Sequence, residues 1–251
     1  MCKISFDHIY HAGEVVAQSD LYVHYQNEDM LLKYDSNFLH FLRMPSLEEF
    51  KQTAAYLHDF HSRHGQHHVK FTFPQNIKPT EELIQHFIEN NYNYRYLELF
   101  TIKPSEFPCV EKDSNISIQF VTENEYMDYS NLKYQQDVLF GSEFAKAQRD
   151  VYRQDFQNPN KWQIVSYFRG NISGCVDVII GKGTAEIDNL FVLEEYRKQG
   201  IGSMLQQFVM DHCPDKLVIL VADGEDTPRE MYIKQRYCYR GFQYEVQKVY
   251  L

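Results

Sequence analysis

The segment that most constrains this chain runs Glu186-Ile187-Asp188-Asn189-Leu190-Phe191-Val192-Leu193-Glu194-Glu195-Tyr196-Arg197-Lys198-Gln199-Gly200-Ile201-Gly202. It ends a strand and opens an amphipathic helix, so it demands a strand, a tight turn and a helix in that order. Two glycines two apart let the backbone bend and bring several N–H groups toward one point, and the macrodipole of the following helix favours negative charge there. Arg197 and Lys198 reinforce it. Each amide bonded to a charged oxygen is worth about 1.5–3 kcal/mol and the helix end about 0.3–2 kcal/mol, enough together to hold a pyrophosphate. A Walker pattern is missing, and G-x-G-x-x-G fails because position 205 is Leu, which counts against nucleotide hydrolysis and dinucleotide binding.

The rest of the chain fits an α/β order with a mixed, mostly antiparallel sheet flanked by helices. Strand patterning covers residues 116–121, 162–168 and 172–180, the last two joined as a hairpin through Arg169-Gly170-Asn171. Helices are expected across roughly 123–157, from near Gly200 and from Thr227, with further strands at 184–192, at 216–222 and up to Leu251. Upstream, strands at 15–25 and 30–34, a helix over 46–63, a strand at 69–73 and a helix and strand over 79–102 make a second, smaller α/β domain. The linker candidate is residues 103–115, with two prolines, which places the boundary near 112: an N-terminal domain over 1–112 and a C-terminal domain over 113–251. The order strand, helix, Y-x-Y-R, strand occurs twice, at Tyr92-Asn93-Tyr94-Arg95 and at Tyr237-Cys238-Tyr239-Arg240. Chance or a generic α/β unit explains a four-residue match, and a decayed duplication is the sharper alternative.

Composition narrows the function classes. Hydrophobic residues at 43% and charged residues at 24% are ordinary for a folded protein. The longest apolar run, residues 175–180, is broken by Asp177, far from the ~20 residues of a membrane span. No basic stretch followed by an apolar one opens the chain, so a cytoplasmic protein is expected. The net charge of −10 is shared evenly by the two halves, against a general nucleic-acid binder, which needs a basic footprint. Five scattered cysteines without C-x-x-C suggest reduced thiols rather than disulfides or a zinc ribbon.

Arg197-x-x-Gly200-x-Gly202, preceded by Ile187-x-x-Leu190-x-Val192, resembles the acetyl-CoA loop of the GNAT superfamily of N-acetyltransferases. The resemblance covers about residues 116–251, including the strand order and a late helix whose Met231-Tyr232-x-Lys234 is similar to that family's Leu-Tyr-x-Lys. Arg236-Tyr237 stands where Gly-Phe is usual; a second frame, matching Gly241-Phe242, would put Tyr237 in place of Tyr232. The resemblance implies a GNAT-type sheet and acetyl-CoA as co-substrate, bound by Leu190, Phe191, Val192, Arg197, Lys198, Gln199, Gly200, Ile201, Gly202 and Ser203. In such proteins the pantetheine arm lies like an extra strand beside the splayed end of the strand that stops here at Val192. The N-terminal half lacks this loop, is expected not to bind CoA, and is either a degenerate GNAT-like half or a domain that shapes the acceptor cleft or mediates association.

Attack on a thioester needs a neutral amine, and a lysine-like amine with pKa near 10.4 is neutral in roughly one molecule in 2,500 at pH 7. Glu186 and Asp188, two apart on one strand, share a face, and either carboxylate could remove the proton directly or through water. Glu186 is the first choice; its spacing of eleven residues from Arg197 also resembles that of the catalytic glutamate in the histone acetyltransferase branch. Thr227-Pro228-Arg229-Glu230 reads as a capping box that fixes the helix start. By resemblance, the Tyr232 hydroxyl then lies near the departing sulfur as the acid. No cysteine is expected in the site strands beside the loop, so direct attack in a ternary complex is expected rather than an acyl-enzyme.

His58, His61, His64, His67 and His68 tempt a metal assignment, but their spacing suits a solvated helix end better, and no metal is expected. The partner is therefore an unidentified small-molecule or peptide amine, with the aromatic and charged stretch 126–156 as the rim of its site. No nucleic acid or membrane partner is expected, and an oligomer is open. Two other readings remain: a non-catalytic acyl-CoA-binding regulatory module, and an aminoacyl-transferring tandem relative that uses charged tRNA, against which the acidic charge and intact loop count.

Overall fold

The computed structural model describes residues 4–225 and 228–250. The chain parts into two compact units, one of residues 1–99, 222–229 and 240–251, the other of 100–221 and 230–239. The two units interleave, with stretches 222–229 and 240–251 grouped with the N-terminal residues, whereas the boundary expected near 112 divides the chain once. The physical reason lies in the last strand, which pairs with a strand of the N-terminal half.

In the first unit β1 (Glu14–Gln18) and β2 (Tyr22–Gln26) form an antiparallel hairpin, and β2 pairs antiparallel with β3 (Phe38–Phe41). Helix α1 (Leu47–Arg63) leads to β4 (His68–Thr72), parallel to β3. Helix α2 (Glu81–Glu89) and β5 (Asn93–Ile102) follow, and the chain's last strand, β11 (Cys238–Val249), pairs antiparallel with β4 from Glu245–Thr72 to Val249–His68. The strand expected at 30–34 is absent. The Asn37 amide instead donates to the Met30 and Lys33 carbonyls at 2.9 and 2.8 Å, holding a compact turn, and the strand comes after it. Phe41, Phe50, Phe71, Phe73 and Phe87 fill the core beneath α1 and α2.

The histidines are placed differently from expectation. His61 and His68 are buried, as is His24, and only His64 and His67 of the run are exposed. His61 and His68 rings lie 4.7 Å apart and His24 and His61 5.9 Å apart. His61 bonds to the His68 carbonyl and His68 to the Asn37 carbonyl. These rings pack against one another in the interior of the first unit. Burial, and next the neighbouring His61, pull both His24 and His68 from the ordinary 6.5 to about 4. Because the unfolded chain takes up these protons first, stability is full above pH 6.5 and is lost as pH falls toward 4, on the order of 3 kcal/mol per histidine. Urea midpoints measured from pH 7.5 to 4.5 should therefore drop steeply below pH 6, and a flat profile would show these rings to be protonated in place.

The second unit begins with β6 (Ile116–Phe120), helices α3 (Tyr126–Asp137) and α4 (Ser142–Phe156), and the antiparallel strands β7 (Lys161–Phe168), β8 (Asn171–Ile180) and β9 (Thr184–Val192). Helix α5 (Ile201–His212) connects to β10 (Leu217–Asp223), parallel to β9, and α6 (Pro228–Lys234) precedes β11. Ile201, Leu205, Val209 and Met210, spaced three to four apart, give α5 its buried stripe. Tyr129, Leu132 and Tyr152 of α3 and α4 pack with Val121, Val165 and Cys175 on the other face.

The order β1-β2-β3-α1-β4-α2-β5 recurs as β7-β8-β9-α5-β10-α6-β11, with two antiparallel pairings and then a parallel one in each. Even the helix ends match. Asn91 and Arg236 both turn left-handed, at φ 56° and 67°, and the Tyr92 and Tyr237 amides donate to the Phe87 and Tyr232 carbonyls, each at 2.9 Å. The Y-x-Y-R echo marks a repeated topology with a repeated helix stop.

Candidate active site

Strand β9 carries a bulge. Val178 opposes Ile187 while Asp177 opposes Asn189, so Asp188 is an extra residue without a partner on β8. The bulge shifts the phase of the strand, and this corrects the expected pairing of carboxylates. Glu186 opposes Ile179 and Asn189 opposes Asp177; cross-strand partners share a face, so Glu186, Asn189 and Phe191 look toward α3 and α4. Glu186 is buried at 6% exposure, whereas Asp188 is exposed and leaves the shared site.

The bulge also marks where β10 departs. The parallel β9–β10 ladder runs only from Leu217–Thr184 to Leu220–Ile187, and among the described residues no strand partner meets 188–192 on that edge. The added twist of a bulge accounts for the parting. Leu190 and Val192 remain paired on their other side with Val176 and Gly174.

Beyond Val192 a short 3₁₀ turn at Glu194–Tyr196 and the segment 197–200 lead into α5. Lys198 and Gly200 are left-handed at φ 63° and 80°. Gly200 is the N-cap of α5 and makes no side-chain cap, and among the described residues no side chain accepts from the amides at 201–203. A Cβ on Gly202 would meet only Val192 Cγ2, at 3.9 Å, which leaves room for a ligand to approach the main chain. Arg197, Lys198 and Gln199 are exposed, with the Arg197 Nε–H donating to the Val192 carbonyl at 3.2 Å. The corresponding start of α1 is closed. Ser46 Oγ accepts from the Glu49 amide, the Glu49 carboxylate accepts from the Ser46 amide, and Arg43 grips it with both guanidinium nitrogens at 3.0 and 2.6 Å. Arg43, then Ser46, hold the Glu49 carboxyl down at about 2, so a negative charge already sits where an anion would bind.

Tyr232 and Tyr237 are distinguished by their partners. The Tyr237 hydroxyl donates to Gln206 Oε1 at 2.8 Å, which fixes it to α5. The Tyr232 side chain is 9% exposed and packs its ring 5.4 Å from Phe100 and from Tyr237. Its hydroxyl makes no hydrogen bond among the described residues, and burial raises its pKa above 10.0. The expected capping box before α6 rests on Thr227, which lies outside the described residues.

Residues that the sequence reasoning did not assign line the floor beneath α3. Asp177, on β8, accepts from Tyr129 and from Lys133 at 2.8 Å each. Burial opposes the Lys133 charge, but the adjoining carboxylate outweighs it and pushes that pKa up, keeping the ammonium. The sequence did carry a signal, an Asp inside the apolar run 175–180. A cysteine does stand one strand from the site: Cys175 opposes Phe191. Burial pushes its thiol to about 12, which leaves no thiolate for nucleophilic attack.

An open strand edge therefore runs into an uncapped helix start, with a buried carboxylate and a buried phenol in the same unit of a mixed α/β sheet. Residues 126–234 match the Acetyltransferase (GNAT) family and residues 4–100 match a domain of unknown function (DUF5613). The C-terminal match is to an acetyltransferase domain of the GNAT type, and the N-terminal match is to a separate domain family. The chain is also similar over its length to a functionally unknown conserved protein from Staphylococcus epidermidis ATCC 12228, at 31% identity, 99% coverage of both chains and TM-score 0.92. A GCN5-related N-acetyltransferase from Kribbella flavida shares the fold at TM-score 0.62 and 13% identity, covering 94% of this chain and 90% of that one. Another from Sphaerobacter thermophilus does so at TM-score 0.55 and 12% identity, covering 93% and 82%. No match is found among curated proteins. No helix among the described residues is long and apolar enough to cross a membrane.

Proposed function

We propose that the chain is an N-acetyltransferase that moves the acetyl group of acetyl-CoA to a primary amine by direct attack in a ternary complex. The observation that carries this is the continuity of the open β9 edge, from the bulge at Asp188 to Val192, with the uncapped start of α5. The amides of 201–203 and the Arg197 and Lys198 cations suit the diphosphate. The main chain of Leu190 and Val192 suits the pantetheine arm, and an N–H there can face the oxyanion, a contribution of about 2.7–4 kcal/mol where measured in other enzymes.

In this mechanism Glu186 takes a proton from the ammonium, directly or through water, and the freed lone pair forms the new C–N bond. The tetrahedral intermediate then expels sulfur, the C–S bond breaks, and Tyr232 donates its proton to the thiolate. The second proton lost by nitrogen passes to solvent, and the phenolate is reprotonated from water. The closed start of α1, with Glu49 already inside it, argues that the N-terminal unit does not take a CoA of its own.

The test is release of free thiol from acetyl-CoA across polyamines, amino acids, aminoglycosides and peptide N-termini. We expect release above the hydrolytic background with at least one amine, together with an acetylated product. Tight CoA binding without release for any amine would favour a regulatory acyl-CoA-binding module instead.

A further inference from the structure

One side chain in the second unit is left unsatisfied in a telling place. Asn189 Oδ1 is buried and has no hydrogen-bond partner, and its amide nitrogen makes no hydrogen bond among the described residues either. A buried amide carbonyl without a donor costs about 1–3 kcal/mol, and such groups in folded proteins call for an explanation. Gln148, Gln163 and Gln235 also carry buried unpartnered carbonyl oxygens, but they are anchored through their amide nitrogens, the first two to Tyr152 at 3.3 and 2.9 Å and the third to Ser203 at 3.1 Å. Asn189, like Gln136, is anchored by no side-chain hydrogen bond among the described residues, and of the two only Asn189 stands on β9. Its cross-strand neighbour does not need it, because Asp177 already receives the Tyr129 hydroxyl and the Lys133 ammonium.

The position of Asn189 gives the unused acceptor a meaning. It is the first residue after the bulge, where the free edge of β9 begins, and the bulge brings it onto the face of Glu186. Without the extra residue Asp188, a residue three positions along would look the other way.

We infer that Asn189 selects and orients the acceptor amine, its side-chain carbonyl accepting one N–H of the attacking nitrogen while Glu186 accepts the proton that is lost. This rests on the acetyl-transfer reading above and adds to it the side chain that enforces the primary amine. A neutral primary amine has two N–H groups and can satisfy both acceptors while its lone pair attacks; a secondary amine has one and must leave Asn189 or Glu186 without it. Sites built to bond an N–H discriminate strongly against analogues that lack it, because the buried acceptor is then stranded. Asn189 is a positioning and specificity residue in this account, and no proton is transferred to it.

The test compares kcat/KM for n-butylamine and N-methylbutylamine, small enough that the amino group is most of what the site can hold, in the full-length protein and in Asn189→Leu and Asn189→Asp. Leucine keeps the volume and removes the acceptor; aspartate restores an acceptor oxygen. In the unaltered protein we expect the primary amine to be preferred by about 30-fold or more. Asn189→Leu should lower kcat/KM for the primary amine at least tenfold and leave the secondary amine within about twofold, collapsing the preference, while KM for acetyl-CoA stays within twofold. Asn189→Asp should recover the preference in part. If thiol is released but the preference survives in Asn189→Leu, or both amines lose equally, the inference fails and the transferase reading stands. If no amine releases thiol from the unaltered protein, both fall.

Discussion

Gly202→Trp is expected to abolish acetyl-CoA binding while leaving the protein folded. The two halves of that statement come from the same geometry. A Cβ placed on Gly202 would touch only Val192 Cγ2, at 3.9 Å, and Gly202 is not among the left-handed residues. The backbone thus accepts a Cβ without a clash, and an indole attached there adds bulk at the start of α5. What it obstructs is the approach of a diphosphate to the amides at 201–203, which a ligand needs at hydrogen-bond distance. Losing two or three charge-assisted bonds at about 1.5–3 kcal/mol each means at least a hundredfold weaker affinity. Calorimetric titration with acetyl-CoA, beside a melting curve, reads both halves at once. Wild-type affinity in the variant would reduce the loop to an ordinary strand-to-helix turn. Gly200 makes a poorer probe, because its φ of 80° would strain any substituted residue and mix a folding defect with a binding one.

Much of this site was legible because it is local. A strand, a turn with two glycines and a helix are set by neighbouring residues, and 184–192 and the helix from near Gly200 are where the sequence puts them. The parts that were not legible depend on partners far along the chain. Periodicity of two placed Glu186 and Asp188 on one face; only the pairing with β8 reveals that Asp188 is surplus. The histidine run looked like a solvated helix end because five polar rings stand together, yet His61 faces His68 and His24 from other elements. The same distance along the chain hid the pairing of the last strand with the N-terminal half. Nothing near residues 240–251 says that this strand will pair with β4.

The choice between the two tyrosines was open in the sequence, and their hydrogen bonds now make opposite predictions for the two substitutions. Tyr232→Phe removes a hydroxyl that supports nothing else among the described residues, so the fold should lose little. It should cost turnover instead. If this phenol protonates the departing thiolate, kcat should fall about 10²–10⁴-fold, the usual range for a lost general acid, with the affinity for acetyl-CoA within about twofold. Burial lifts the phenol above its ordinary 10.0, so the proton is present throughout the working range and the loss should not depend on pH between 7 and 9. Tyr237→Phe takes away the donor to Gln206 Oε1 and leaves that buried acceptor unsatisfied, a stability cost of about 1–3 kcal/mol. Its melting point should drop while kcat per folded molecule changes little. The reverse pattern, with Tyr237→Phe inactive and Tyr232→Phe at full rate, would move the acid to Tyr237 and restore the second alignment frame. An unchanged rate in both would leave the thiolate to depart unaided, as a leaving group whose pKa near 8.5 already permits it.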